Sequence, residues 1–345
     1  MKSKSTELFR LLESRKRVLV LSHTNPDPDS LGSALGLCHL ARQRFGIECD
    51  CALDGRIMRA ENREMVRRLE IPLVPIDQLH IPGYDCLAVV DTQPGFGHTH
   101  LPEGREIDIV IDHHVSPERG GATPAFADIR TDVGATSSIV TRYLIDAGVD
   151  VPTRVATALY YGVKTDTADL SRNVSPLDAA AYEFLTPRID RSCLAGIASP
   201  ALSPAYFSSL RQALNNVRIY DNVVLCSLGR IDSPEMVAEV ADLLLRLEGK
   251  DTVFCGGEVD GTYFISVRTA LSKIDAYDLI RDALAGEGSF GGHGSVAGGS
   301  VKMPDDGTRC VRRLERRLEK NILRAMGVED VTVCGLAGPT PSRAD

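Results

Sequence analysis

The chain has no tryptophan, and its aromatic content is only 5%. It therefore offers few obvious stacking platforms for nucleobases. An excess of positive charge is missing too. The formal net charge is -8, and a long, sequence-independent grip on DNA or RNA depends on neutralising many phosphates. A small or short anionic substrate stays open, because metal ions and a few arginines set the local field whatever the net charge. No apolar run approaches the roughly 20 residues of a membrane span. Met1-Lys-Ser-Lys-Ser leads into a charged helical segment rather than an apolar leader, so no membrane partner is expected and the expected location is cytoplasmic. The nine cysteines are odd in number and dispersed, with only Cys49 and Cys51 close together. Reduced core thiols are expected rather than a disulfide framework.

What is present is enough apolar sequence, 43% of 345 residues, for two buried cores. The first half alternates strands (Arg17 to Leu21, Ile47 to Leu53, Cys86 to Val90, Ile107 to Ile111) with helices (Ser30 to Phe45, Glu61 to Leu69). Short, almost wholly apolar strands suit a parallel α/β sheet covered on both faces. Helices are expected near Thr136 to Ala147, Pro152 to Val163 and Pro176 to Leu185. The text from Pro187 to Pro204 is irregular and reads as a linker. Beyond it lie strands (Val223 to Leu228, Thr252 to Val259, Tyr263 to Arg268) and helices (Pro234 to Leu247, Ala276 to Leu284). A hairpin turn is expected at Asp260-Gly261, then a glycine-rich loop from Gly291 to Gly299 and a basic helix from Arg309 to about Met326.

The chemistry-bearing residues stand just past apolar runs. His23, Asp27 and Asp29 follow Val18 to Leu21; Asp91 follows Cys86 to Val90; Asp112, His113 and His114 close Ile107 to Ile111; Asp166 is expected in the break after Val163. In parallel sheets, ligands bind beyond the carboxyl ends of strands. Carboxylates mixed with imidazoles suit Mn²⁺, Mg²⁺ or Fe²⁺ better than a thiolate zinc site, and an odd number of ligands lets one aspartate bridge two ions. The outline is a dinuclear metal site for hydrolysis of a phosphate ester.

His23-x3-Asp27-x-Asp29, a lone Asp91 after a strand, Asp112-His113-His114 and Thr165-Asp166-Thr167 resemble, in order, the four motifs of the DHH phosphoesterase superfamily. Gly291-Gly292-His293 with Ala297-Gly298 resembles the glycine-histidine motif of the DHH-associated C-terminal domain. The resemblance implies an α/β protein: a parallel-sheet DHH catalytic domain (1–190), a linker (191–205), a smaller α/β substrate-binding domain (206–330) and a disordered tail (331–345), with the active site in the cleft between the domains. It implies two divalent metal ions, Mn²⁺ before Mg²⁺ or Fe²⁺. His23, Asp27 and Asp91 would hold one, and Asp29, Asp91, His113 and Asp166 the other. Asp112 would orient a histidine, and His114 would donate to a phosphoryl oxygen or the leaving group. Arg268, Gly291, Gly292 and His293 would bind substrate phosphate.

The function implied is a nano-RNase that hydrolyses short single-stranded oligonucleotides, or a phosphatase of 3′-phosphoadenosine 5′-phosphate, through a two-metal-activated hydroxide. Alternatives are a cyclic or linear dinucleotide phosphodiesterase, a family II inorganic pyrophosphatase and, in another class, a nucleotide sensor without turnover. A long duplex is not an expected partner, and a homodimer is compatible with the chain. Two departures stand out: Asp166-Thr167 is followed by Ala168-Asp169-Leu170, where many relatives have glycine and then an aromatic, and Phe290-Gly291-Gly292 has fewer consecutive glycines than the commonest form. His98 and His100 read as a solvated or substrate-facing loop, and Gly134 to Ser137 resembles a family segment that opens a helix beside the site, where Thr136 or Ser137 is expected to cap the helix or to contact substrate.

Overall fold

A computed structural model of the chain describes residues 3–57, 59–95, 105–115, 123–271, 273–304, 308–328, 333–336 and 338–339. It divides into two compact units, Met1–Ala201 and Leu202–Asp345. Among the described residues, no helix is long and apolar enough to cross a membrane.

The first unit runs α1 (Lys4–Leu12), β1 (Arg17–Leu21), α2 (Pro28–Phe45), β2 (Glu48–Leu53), α3 (Ala60–Arg68), β3 (Leu73–Pro75), β4 (Cys86–Val90), β5 (Ile109–Asp112), β6 (Phe126–Ile129), α4 (Thr136–Ala147), α5 (Thr153–Asp166), α6 (Pro176–Leu185) and α7 (Arg191–Ala198). Its sheet has the order β3-β2-β1-β4-β5-β6, and every pairing is parallel. Strand residues alternate between two buried faces. Val18 and Val20 of β1 enter one core with Ala88, Val90 and the helices α2, α4 and α5, while Leu19 and Leu21 enter another with Leu87 and Val89. That double burial is why the strands read as unbroken apolar runs. The edge strands β3 and β6 escaped the sequence reading because three or four half-buried residues carry too little periodicity.

The helix expected as amphipathic, α2, is instead buried on nearly all sides through Ala41. It lies against α4 and α5 through glycines: a Cβ on Gly32 would stand 2.7 Å from the Ala158 carbonyl oxygen, and one on Gly162 would stand 2.9 Å from Asp29 Cα. Close approach of these helices brings Asp29 against both.

The stretch expected as linker carries α7 instead. Asp190 caps it, its Oδ1 accepting the Cys193 N–H at 2.9 Å, and Ile197 is buried. An apolar helix of eight residues amid prolines is easily read as irregular, since its partner α3 is distant in sequence.

The second unit runs α8 (Pro204–Asn215), β7 (Arg218–Tyr220), β8 (Val223–Arg230), α9 (Glu235–Leu244), β9 (Thr252–Val259), β10 (Thr262–Thr269), α10 (Ala276–Leu284), β11 (Ser289–His293), β12 (Val296–Lys302), α11 (Thr308–Ala325), β13 (Cys334–Gly335) and β14 (Gly338–Pro339). Its mixed sheet has the order β11-β12-β10-β9-β8-β7-β13-β14, with β8 and β9 parallel. Asp260 and Gly261 turn β9 into β10 with φ of 48° and 76°. The glycine-rich segment expected as a loop is a paired hairpin, β11 with β12, Gly291 opposite Gly298 and Gly292 opposite Ala297. Part of the expected disordered tail is also paired, with Cys334 opposite Ile219 of β7. Helix α11 buries Leu314, Leu318 and Ile322 and turns its basic residues outward, where Arg317 pairs with Glu287, while Glu315 and Glu319 accept hydrogen bonds from Tyr263 and Tyr220 of the sheet. Cys38, Cys49 and Cys51 are buried thiols, Cys38 Sγ lying 2.9 Å from Cys49 Sγ and 3.1 Å from Cys51 Sγ.

Candidate metal centre

In the first sheet the chain reverses its winding between β1 and β4, and crevices at such switch points form ligand sites beyond the strand carboxyl ends. His23 follows β1 there, Asp91 follows β4 and His113 follows β5. Asp91 adopts a left-handed backbone, φ 57°, a conformation aspartate and asparagine tolerate better than most residues. Asp27 is the N-cap of α2, its Oδ1 accepting the Ser30 N–H at 3.0 Å, and Asp29 sits in the first turn. Asp166 is not in a break but is the last residue of α5.

These residues converge. His23 Nε2 lies 3.8 Å from Asp27 Oδ1 and 3.7 Å from Asp91 Oδ2. His113 Nε2 lies 3.4 Å from both Asp91 Oδ1 and Asp166 Oδ2, and 4.0 Å from Asp29 Oδ2. Ligand atoms of His23, Asp27 and Asp91 fall within 4.8 Å of one another, as do those of Asp29, His113 and Asp166. A third group, Asp91, His113 and His114, meets the same distance. There the His114 Nδ1 is 2.8 Å from Asp112 Oδ1, a bond that commits this nitrogen elsewhere.

The electrostatics show what the cluster lacks. Burial, and then Asp166, push the Asp29 carboxyl up to about 7. Burial and Asp29 push Asp91 well above the usual carboxylate range, and burial raises Asp166. Burial works against protonation of His113, yet Asp166 and Asp91 outweigh it and hold the imidazolium up to about 12. Asp91 Oδ2 and His113 Nε2 are buried without a hydrogen-bond partner. His113 Nδ1 meets the Val133 carbonyl oxygen at 3.2 Å and so carries the proton there, which leaves Nε2 as the ligand nitrogen. Two orphaned buried donor atoms amid carboxylates that resist ionisation fit a divalent cation, and oxygen-rich ligands with imidazoles suit Mn²⁺, Mg²⁺ or Fe²⁺.

The supporting residues were mostly invisible in sequence. Asp29 is fixed by the start of α4: the Thr136 N–H donates to its Oδ2 at 2.7 Å and the Ser137 N–H to its Oδ1 at 2.8 Å. The helix is thus capped by a carboxylate from α2, not by Thr136 or Ser137, whereas Ala135 at the N-cap position has no side chain to offer. Asp178 in turn holds the loop before α4, accepting from the Gly134 N–H, the Ser138 hydroxyl and the Ser175 N–H and hydroxyl. The Ser175-x2-Asp178 capping spacing signalled the helix start but not this second role. Gln93, which carried no sequence signal, donates to Asp112 Oδ2 at 2.7 Å and to the His114 carbonyl oxygen at 2.9 Å. Burial raises Asp112, but the His114 ring and Gln93 hold it below the ordinary carboxylate value.

In the second unit, Arg268 is buried and its Nε donates to Asp242 Oδ1 at 2.5 Å; Nη1 donates to Ser266 Oγ and the Val267 carbonyl oxygen. Gly291 has open space where a Cβ would be, while a Cβ on Gly292 would collide with Ala297 Cα at 2.4 Å. The backbone of His293 ends β11, and its side chain lies outside the described residues, as do His98 and His100.

Two family models match the chain: "DHH family, N-terminal domain" over residues 17–163, and "DHHA1 domain" over residues 221–320. The protein belongs to the DHH phosphoesterase superfamily, in the form that carries the DHH-associated C-terminal domain. It is 33% identical to an uncharacterized protein of Methanocaldococcus jannaschii over 325 residues, covering 92% of this chain and 66% of that protein. A probable manganese-dependent inorganic pyrophosphatase of Streptococcus pyogenes is 28% identical over 158 residues, 44% of this chain and 48% of that protein. The chain thus spans 48% to 66% of the length of these curated relatives. Among solved structures, an exopolyphosphatase-related protein from Bacteroides fragilis shares the fold, with a TM-score of 0.73 at 18% identity over 94% of this chain and 98% of that one.

Proposed function

We propose that this protein is a phosphoesterase using two divalent cations, Mn²⁺ before Mg²⁺, to hydrolyse very short oligonucleotides, 3′-phosphoadenosine 5′-phosphate or both. The observation that carries the reading is the pair of buried, unpartnered atoms, Asp91 Oδ2 and His113 Nε2, inside a cluster of carboxylates and imidazoles. His23, Asp27 and Asp91 would hold one cation and Asp29, Asp91, His113 and Asp166 the other. Bound there, the cations supply an acidified water and neutralise charge on the phosphoryl oxygens.

The chain's own residues do the rest. The start of α4 fixes Asp29, and Gln93 fixes Asp112. Asp112 accepts the His114 Nδ1–H, so a proton given to a phosphoryl oxygen or to the leaving group would come from Nε2 of the doubly protonated ring. Gly291, Gly292 and His293 are the residues of the second unit proposed to meet phosphate. Arg268 is the weakest member of that set, because its Nε and Nη1 are already engaged.

The test is chromatography of products after incubation with Mn²⁺ and, separately, 5′-phosphorylated RNA of two to ten nucleotides, 3′-phosphoadenosine 5′-phosphate, a cyclic dinucleotide and pyrophosphate. Mononucleotides from the shortest RNAs, or AMP from the bisphosphate, are expected. Turnover of pyrophosphate alone, or binding without turnover of anything, would overturn the proposal.

A further inference from the structure

Beside the metal centre stands a strained turn that this function does not yet use. Ala168, Asp169 and Leu170, directly after Asp166 and Thr167, all have left-handed backbone, with φ of 46°, 59° and 62°. Non-glycine residues persist in that region only where their surroundings over-determine them, and such places cluster at ligand sites. Here the clamps come from three sides. Thr167 Oγ1 accepts the Leu170 N–H at 3.1 Å and donates to the Val163 carbonyl oxygen at 2.6 Å. The Asp169 carboxylate accepts Lys164 Nζ and the Tyr182 hydroxyl, both at 2.6 Å. The Asn173 carbonyl oxygen sits where a Cβ on Gly134 would be only 2.6 Å away.

The turn folds the chain back over the end of α5. There Arg172 Nη2 donates to the Asp166 carbonyl oxygen at 3.1 Å. Three other cations of this unit are held in ion pairs, Arg130 by Asp128, Lys164 by Asp169 and Arg142 by Asp146. Arg172 is exposed and forms no ion pair among the described residues. Its single bond anchors one nitrogen and leaves the other donors of the fork for an anion, the geometry in which arginine takes phosphate in two parallel bonds.

We infer that Arg172 is a substrate-binding residue: the left-handed turn holds its guanidinium on the carbonyl oxygen of Asp166, whose side chain belongs to the carboxylate–imidazole cluster, and from there it takes the second, uncleaved phosphate of a substrate that carries two. This rests on the phosphoesterase reading and adds a specificity determinant to it. A guanidinium at the C-terminal end of α5 also complements the helix dipole, so a purely structural role is the competing account.

The two accounts separate in Arg172→Gln and Arg172→Lys. In the Mn²⁺-loaded enzyme, Arg172→Gln should raise KM for 3′-phosphoadenosine 5′-phosphate about tenfold with kcat little changed. Bis(p-nitrophenyl) phosphate, which has one phosphate, should be unaffected, and Arg172→Lys should recover part of the loss. An equal loss on both substrates, or none on either, overturns the inference. Calorimetry in the same metal, with the 3′-methylenephosphonate analogue of the bisphosphate that cannot be cleaved, gives a reading free of turnover. The unsubstituted protein should bind that analogue more tightly than the same 3′-phosphonate lacking the 5′-phosphate, and Arg172→Gln should erase that difference. A wild type that hydrolyses neither these substrates nor the short RNAs but shows this pattern sinks the phosphoesterase reading while upholding Arg172. A difference that survives in Arg172→Gln, or that is absent from the wild type, overturns the inference.

Discussion

Replacing Asp91 by asparagine should stabilise the protein in a chelator and remove most of its stabilisation by Mn²⁺. Asparagine keeps the volume and accepts the left-handed backbone at this position, so the change is one of charge. Asp91 is 1% exposed, its Oδ2 has no donor, and a ligand atom of Asp27 lies within 4.8 Å. Were both ionised at that separation, the two carboxylates would repel by about 3.5 kcal/mol in an effective dielectric of about 20, an upper bound on the cost that protonation of Asp91 relieves. The imidazolium of His113, 3.4 Å from Oδ1, offsets part of this. A net gain of about 1–2 kcal/mol is left for the metal-free variant, or roughly 2–8 °C in Tm for a unit of this size. With cation at a thousandfold excess over Kd, the wild type should gain about 4 kcal/mol. The variant should gain little, because Asp91 belongs to the ligand sets of both proposed ions. Thermal and urea unfolding followed by circular dichroism, in EDTA and in excess Mn²⁺, reads both effects. Equal Mn²⁺ shifts in the two proteins, or a variant less stable in EDTA, would refute the reasoning.

The same carboxyls set a pH dependence. The folded values of Asp29 (about 7) and Asp91 lie above their unfolded ones, so the folded protein holds more protons. Its metal-free stability is greatest below about pH 4 as far as these groups are concerned, and it falls as pH rises through the folded values. Urea midpoints in EDTA should therefore drop between about pH 5 and pH 8, less steeply in Asp91→Asn, and a flat or rising profile would contradict the assignment. Asp178→Asn turns an amide toward donors that now meet a carboxylate, so a loss of about 3 kcal/mol or more is expected, with weaker Mn²⁺ binding in calorimetry. Ala168→Gly should relieve left-handed strain and stabilise by about 1 kcal/mol net of the extra freedom glycine gives the unfolded chain. A destabilised glycine variant in urea unfolding would mean that the turn is not strained.

The convergence of the candidate ligands was legible because of where they stand. His23, Asp91 and His113 each follow a run whose apolar residues face both sides of a covered sheet, and polar side chains just past such runs can only lie at its rim. Asp166 was found by its motif and misplaced by a helical turn, since α5 runs on through polar Lys164 and Thr165 that the apolar pattern omits. Arg268 looked like a phosphate ligand at a strand end, but its partner Asp242 lies 26 residues away on α9. The glycine-rich segment looked like a loop because glycine is rare in strands, whereas Gly292 is needed for the close approach of Ala297 on the facing strand.

By itself the sequence determined the parallel sheet, the family and which residues are candidates to hold metal, because apolar periodicity and motif spacing are local and survive in one dimension. Only the tertiary structure decided how those ligands are held. The amides that fix Asp29 lie 107 and 108 residues from it, Asp178 reaches back to Gly134, and the turn that aims Arg172 is shaped by Lys164, Tyr182 and the bare face of Gly134. Hydrogen bonds across such separations leave no periodic trace in the chain, since any residue with a donor or acceptor can serve once packing has brought it within 3 Å.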